Sequence, residues 1–191
     1  MRENIRACVQ AVAETLTIPQ PIVEIGALQV EGRLYSADLR PLFAECDYTG
    51  CDIRPGPGVD RIEDVHQLSF APATVGTVLM LETLEHVKNP IQALAEVFRV
   101  LRPGGLVVIS SVMDFPVHEF PADYWRFAPQ GFELLLERFA PHGYIFRVCR
   151  CFLTLWSEWG SSPDRRRPLR DTPGRSSWTG STNAYGRSRA P

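Results

Sequence analysis

The chain has 191 residues, of which 45% are hydrophobic and 22% charged, with a formal net charge of −2. That size allows one domain with a real core, and the composition is ordinary for a globular protein. No run of 18 apolar residues exists, so no membrane-spanning helix is expected.

Charge is distributed unevenly. Residues 161–191 hold seven arginines and two aspartates, a local +5 that leaves −7 for the rest. An acidic folded part disfavours a phosphate backbone, so no nucleic-acid partner is expected. The same 31 residues carry six serines, four prolines and three glycines, with Leu169, Trp178 and Tyr185 as their few large apolar groups. Such a segment buries too little surface to offset its ordering entropy. The expected organisation is a folded domain over residues 1–160 and a disordered basic tail over 161–191. The start, Met1-Arg2-Glu3-Asn4, shows no apolar signal core. None of the five cysteines forms a C-x-x-C pair. They read as buried free thiols, and a cytoplasmic location is the expectation.

Taken in order, residues 3–16 have Ile5, Val9, Val12 and Leu16 on one helical face, and Pro19 and Pro21 end that helix. Strand one is expected at 22–26, a helix interrupted by Pro41 at 33–44, and strand two at 47–52. Arg54-Pro55-Gly56-Pro57-Gly58 has strong turn chemistry. A short strand at 59–62 and a fully apolar one at 75–81 follow. Pro90 opens a helix at 90–101, and Pro103-Gly104-Gly105 predicts a sharp stop before strand five at 106–111. A helix at 129–139 and a sixth strand at 143–153 complete the pattern. Strands alternate with helices, which predicts an α/β fold with a doubly wound, mostly parallel Rossmann-like sheet.

The ends of the first two strands carry the strongest functional signal. Val23-Glu24-Ile25-Gly26-Ala27 ends strand one on an acid and a glycine, and strand two ends on Asp52, 26 positions after Gly26. In doubly wound sheets ligands bind at the carboxyl ends of the strands, and an acid at the second strand end suits a ribose diol. An adenosine-containing cofactor is therefore expected. A dinucleotide needs G-x-G-x-x-G to bring backbone close to its pyrophosphate. This turn keeps only Gly26 and Gly32, and Glu31 and Glu24 would repel phosphate. S-adenosylmethionine, which has no phosphate and carries cationic groups, fits better than NAD(P).

Further along stand Leu81-Glu82-Thr83-Leu84-Glu85-His86-Val87 and Arg99-Val100-Leu101-Arg102-Pro103-Gly104-Gly105. With these the chain resembles the class I S-adenosylmethionine-dependent methyltransferases over residues 21–139. The resemblance is sharpest to a subgroup whose other motifs appear here as Asp52-Ile53-Arg54-Pro55-Gly56-Pro57-Gly58-Val59-Asp60 and Pro121-Ala122-Asp123-Tyr124-Trp125-Arg126-Phe127-Ala128-Pro129. The resemblance implies that Glu24, Gly26 and Ala27 face the methionine part of the cofactor and that Asp52 takes the ribose hydroxyls. It further implies that Ile53 lies on the adenine, that Asp64 and Val65 read the adenine edge, and that Leu81 and Glu82 pass the sulfonium. Ala27 stands where the subgroup has a small polar residue. The family sheet closes with a seventh, antiparallel strand, and no seventh strand is evident after Trp159. A sheet lacking its last strand is the expectation, unless residues 149–156 serve twice. A bare apolar edge would favour a homodimer through it.

Acceptor chemistry is expected in the long loop from Met113 to Trp125. His118 in that loop and His86 beside the cofactor end are the candidate catalytic residues, because imidazole is tuned for proton transfer at neutral pH. His66 and His142 read as structural. Glu82, Glu85 and His86 would share a helix face, an arrangement open to a metal, but no metal is expected because these elements also serve metal-free enzymes. The expected activity is methyl transfer from S-adenosylmethionine to an oxygen or nitrogen of a small-molecule or glycan-type acceptor. The alternatives are a non-catalytic cofactor-binding remnant and an NAD(P)-dependent oxidoreductase.

Overall fold

A computed structural model describes residues 3–29, 38–118, 122–137, 139, 147–148 and 153–155. The predicted tail at 161–191 lies outside them, as do His142 and residues 33–37 of the helix expected at 33–44. Of that helix the described part is a single 3-10 turn, Arg40–Phe43, with Pro41 in its first turn.

Helix α1 (Glu3–Thr15) buries Ile5, Val9 and Val12, the stripe expected from their spacing. Strands β1 (Ile22–Ile25), β2 (Tyr48–Asp52), β3 (Arg61–Ile62), β4 (Val75–Leu81) and β5 (Leu101–Ser110) follow in chain order. Helix α2 (Pro90–Val100) lies between β4 and β5, and its N-cap Asn89 side chain accepts the Gln92 N–H at 3.2 Å. Helix α3 (Pro129–Leu136) buries Phe132 and Leu136. Strands β6 (Arg147–Val148) and β7 (Leu153–Leu155) complete the sheet. No helix among the described residues is long and apolar enough to cross a membrane.

The strand order is β3-β2-β1-β4-β5-β7-β6. The first five strands are parallel, and β7 runs antiparallel to both β5 and β6. Every residue of β4 is buried, as its unbroken apolar run requires of a central strand covered on both faces. From β1 the chain builds outward to β2 and β3, then returns to build β4 and β5 on the other side. The switch point between β1 and β4 is where such sheets leave a crevice at their carboxyl ends.

Two expectations are corrected. The last strand is present, supplied as β7 from within residues 149–156: the strand predicted at 143–153 is represented by β6, and Val148 stands opposite Thr154 of β7. The sequence between Val148 and Leu153 has no glycine or proline, so the stretch reads as continuous. Since β7 pairs with β5, Ser110 opposite Leu153, the bare edge invoked for dimerisation does not exist beside β5. The stop at Pro103-Gly104-Gly105 is instead a bulge. Val75 pairs with Leu101 and Thr77 with Leu106, so the extra residues of β5 are looped out, with Gly104 at φ +74°.

Leu79 is 1% exposed on β4 and aligns with Glu24 on one side and Val108 on the other. Leu79→Ala should cost about 2–5 kcal/mol in urea unfolding, because a rigid sheet core cannot collapse around the cavity. A loss below about 1 kcal/mol would show that the site relaxes and that β4 is not the packed centre of the sheet.

Candidate active site

The carboxyl ends of the parallel strands lie side by side: Ile25 aligns with Cys51 and Met80, Asp52 with Ile62, and Leu81 with Ser110. Residues that follow these positions share one end of the sheet. At the switch point Gly26 has φ +84°, and its N–H and that of Ala27 both donate to the Cys51 carbonyl, at 2.8 and 2.9 Å. A Cβ on Gly26 would lie 2.1 Å from the Thr83 hydroxyl. That hydroxyl is within hydrogen-bond range of the carbonyls of Ile25 (3.2 Å) and Leu81 (3.0 Å), clamping the ends of β1 and β4 together. Glu82, just before it, holds a left-handed backbone at φ +50°, its N–H donating to the Ser110 carbonyl at 3.0 Å. A non-glycine residue in that region is strained, and such strain concentrates at functional sites.

The loop after β2 packs against the loop after β1. The Gln29 N–H donates to the Pro57 carbonyl at 2.9 Å, and a Cβ on Gly58 (φ +87°) would meet the Ala27 carbonyl at 2.4 Å. Arg40 and Asp60 lock this arrangement. The Arg40 guanidinium donates to Asp60 at 2.6 Å and to the Gly58 carbonyl at 2.8 Å, and Asp60 also accepts the Gly50 N–H at 2.7 Å. That N–H, followed by the Arg40 contact, holds the Asp60 carboxyl below its usual range.

Glu24 sits within β1, buried, and accepts a hydrogen bond from the Tyr48 hydroxyl at 2.5 Å. Burial pushes its carboxyl up to about 7 against the opposing pull of Tyr48 and Arg40. Asp52 behaves differently. Among the described residues its carboxylate accepts one hydrogen bond, from the Arg54 N–H at 3.0 Å, and the Arg54 side chain lies 3.8 Å from the same oxygen. Beside it Ile53 is 57% exposed. Asp64 is half exposed, and one of its oxygens accepts from the His66 N–H at 2.9 Å and meets the His66 ring at 2.7 Å. The other ring nitrogen of His66 accepts the Asn89 N–H at 3.2 Å, so this histidine ties the loop to the start of α2. Val65 is buried next to Asp64.

After β5 a second group gathers. Glu85 is fully buried, and one carboxylate oxygen accepts from the Ser111 hydroxyl at 2.6 Å. Its carbonyl accepts the N–H groups of Tyr124 (2.8 Å) and Trp125 (3.2 Å), and the Trp125 indole donates to the Val87 carbonyl at 2.8 Å. His86 pairs through Nδ1 with the Ala122 carbonyl. The rings of His86 and His118 meet edge to face with centroids 4.9 Å apart. Asp123, with a side chain 1% exposed, organises the loop: it accepts the His118 N–H at 2.8 Å, approaches the His118 ring at 3.2 Å and is gripped by Arg126 at 2.5 and 2.7 Å. The Arg126 guanidinium, ahead of the other contacts, holds the Asp123 carboxyl far below its usual range.

Residues 32–109 match a family model described as a methyltransferase domain. Among curated proteins, an uncharacterized 37.1 kDa protein of a Streptomyces fradiae transposon is 36% identical over 77 residues, which are 37% of this chain and 22% of that protein. The chain thus spans under a quarter of that relative's length. Among solved structures, a SAM-dependent methyltransferase of Aquifex aeolicus aligns with a TM-score of 0.55, covering 80% of this chain and 88% of that one at 14% identity. A Pyrococcus horikoshii protein aligns with a TM-score of 0.56 over 82% and 90% of the two chains at 17% identity. The fold is the Rossmann-like one of class I methyltransferases, and residues 32–109 carry the pattern of a methyltransferase domain. The cofactor of that class is S-adenosylmethionine, and the donor set fits it: a carboxylate with an oxygen left over beside an exposed apolar side chain.

The expected cofactor residues Gly26, Ala27, Asp52, Ile53, Asp64, Val65, Leu81 and Glu82 all stand at or beside the carboxyl ends of β1 to β4, and Glu24 lies one position inside β1. His86 and His118 come together across 32 positions of sequence. The shared helix face expected for Glu82, Glu85 and His86 is not formed. Leu84–His86 is a single 3-10 turn, and the left-handed Glu82 breaks the helical path. Sequence reasoning missed Arg40, Tyr48, Ser111 and Arg126. For Tyr48 a signal existed, a phenol on the strand neighbouring a buried acid; Arg40 has none, because its partners lie 18 and 20 positions away.

Glu24 makes a pH prediction. The folded chain holds the Glu24 proton more tightly than the unfolded chain does. Stability should therefore fall as pH rises from 4.5 towards about 7 and then level off. The difference is on the order of 3 kcal/mol at full effect. Glu24→Gln keeps an acceptor for Tyr48 and should flatten that slope, read as urea midpoints at about pH 5 and about pH 8. An unchanged slope would place the titration on another group.

Proposed function

We propose that this domain transfers a methyl group from S-adenosylmethionine to an oxygen or nitrogen of a small-molecule or glycan-type acceptor. The observation that carries the reading is the presence, at one end of one parallel sheet, of a largely covered Asp52 beside an exposed Ile53 and of a paired His86–His118. When bound, the cofactor supplies a methyl group on a positively charged sulfur, which leaves as a neutral thioether as the methyl reaches the acceptor.

The chain's own residues bind and orient. Asp52 accepts the two ribose hydroxyls. Ile53 lies against the adenine, while Asp64 keeps an oxygen for its exocyclic amine and the Val65 backbone N–H meets a ring nitrogen. Gly26 and Ala27 present backbone to the methionine part, with Glu24 positioning them through β1, and Leu81 and Glu82 pass the sulfonium. Such in-line transfer depends mainly on holding nucleophile and methyl in line. Phe115, Tyr124 and Trp125 are each 39–46% exposed around the histidines and offer flat faces to a ring-bearing acceptor. An acceptor hydroxyl must also lose its proton, and the imidazoles of His86 and His118 are the polar groups of that loop suited to handling it.

The remnant alternative rested on a missing strand, and β7 removes that support. The nicotinamide alternative lacks the middle glycine of G-x-G-x-x-G, where this turn has Leu28. Calorimetric titration with S-adenosylhomocysteine tests the reading: micromolar binding is expected, weakened roughly a hundredfold in Asp52→Ala through loss of charged hydrogen bonds, with no heat from NADH. A folded chain that ignores S-adenosylhomocysteine would overturn it.

A further inference from the structure

Glu85 has a buried carboxylate oxygen without a hydrogen-bond partner among the described residues. Its other oxygen is taken by Ser111. An orphaned acceptor on a fully buried acid is costly, and native structures resolve such cases with water or an ion. What surrounds Glu85 favours an ion. Glu85, His86 and His118 each bring one potential ligand atom within 4.8 Å of the other two.

The two histidines are also prepared as ligands. A ligating imidazole characteristically gives its second nitrogen to a carbonyl or carboxylate, which fixes its tautomer and aim. The Nδ1 of His86 is engaged by the Ala122 carbonyl. The Nδ1 of His118 lies 3.1 Å from the Pro116 carbonyl and 3.2 Å from Asp123, itself anchored by Arg126. For neither ring does a described residue occupy Nε2. We propose that Glu85, His86 and His118 bind a divalent first-row transition-metal cation through one carboxylate oxygen and two imidazoles.

Two histidines and a carboxylate are the donor set of sites that keep positions open for water or substrate. Ligand atoms around such a cation stand about 3.4 Å apart, so the trio closes inward by about an ångström when it binds. The site rests on the reading that the acceptor docks beside these histidines, and it deepens that reading. An acceptor hydroxyl on the cation becomes more acidic. Its O–H bond breaks with the proton passing to solvent, the oxygen takes the methyl, and the histidines serve as ligands instead of as a free base.

The test uses the full chain stripped with EDTA and titrated with Co²⁺, followed by its visible absorption. Saturable one-to-one binding is expected, weakened at least about tenfold in His118→Ala and in Glu85→Gln. His118 is part-exposed, so its variant reports even if Glu85→Gln fails to fold. The proposal is overturned if Co²⁺ fails to saturate a single site or if His118→Ala binds it as the unaltered chain does. S-adenosylhomocysteine titrated into the same metal-free samples keeps the readings apart. Its binding survives the loss of the metal site, whereas a failed cofactor reading shows as absent binding in every sample.

Discussion

One hydroxyl, that of Thr83, holds together the two strands between which the sheet changes direction. It bonds to the last carbonyl of β1 and to that of β4, which brings it so close to residue 26 that no side chain fits there. Two strand ends pinned this tightly leave their loops few conformations. The loop after β1 must turn through a left-handed glycine, and the chain leaving β4 must pass through a strained Glu82 before it can form the turn that carries Glu85 and His86. Gly26 is therefore required by protein packing at the switch point, whatever else its backbone meets.

The two halves of the site are stiffened by different means. The half around β1 and β2 is built mainly from backbone contacts, with the Arg40–Asp60 pair as a brace. Its interaction groups are short-range and geometric. The half around β5 is built on charge: a buried glutamate bonded to Ser111, and a nearly buried aspartate gripped by Arg126. Removing one partner from either of these leaves a charge with little access to water, a larger perturbation than the loss of a surface pair. The loop after β5 consequently depends on a few side chains.

What was legible in the sequence followed from periodicity and punctuation. The apolar stripe of α1, the all-apolar run of β4 and the proline that opens α2 located those elements to within a residue or two, and the acid closing β2 stands where a ribose-binding acid would. Three features escaped for physical reasons. The β6–β7 pair has no turn-forming residue between its strands. The Pro103-Gly104-Gly105 run reads as an end, although a strand can loop such residues out and resume pairing. The trio of Glu85, His86 and His118 depends on the path of a long loop, which local pattern does not determine. Asp123 and Arg126 stand only three positions apart, but nothing local indicates that their ion pair holds His118 through Asp123.

The order of strands has a further meaning for a chain emerging from a ribosome. The outer edge of β5 is covered by β7, which is made of residues 153–155, while β5 ends at Ser110. Until that later segment has been synthesised and released from the exit tunnel, five parallel strands end on an unsatisfied row of backbone donors and acceptors. A nascent domain paused at this stage would offer an edge for intermolecular pairing. Chaperone protection would matter most during that interval, and ribosome stalling downstream of β5 would provoke aggregation more readily than stalling before it.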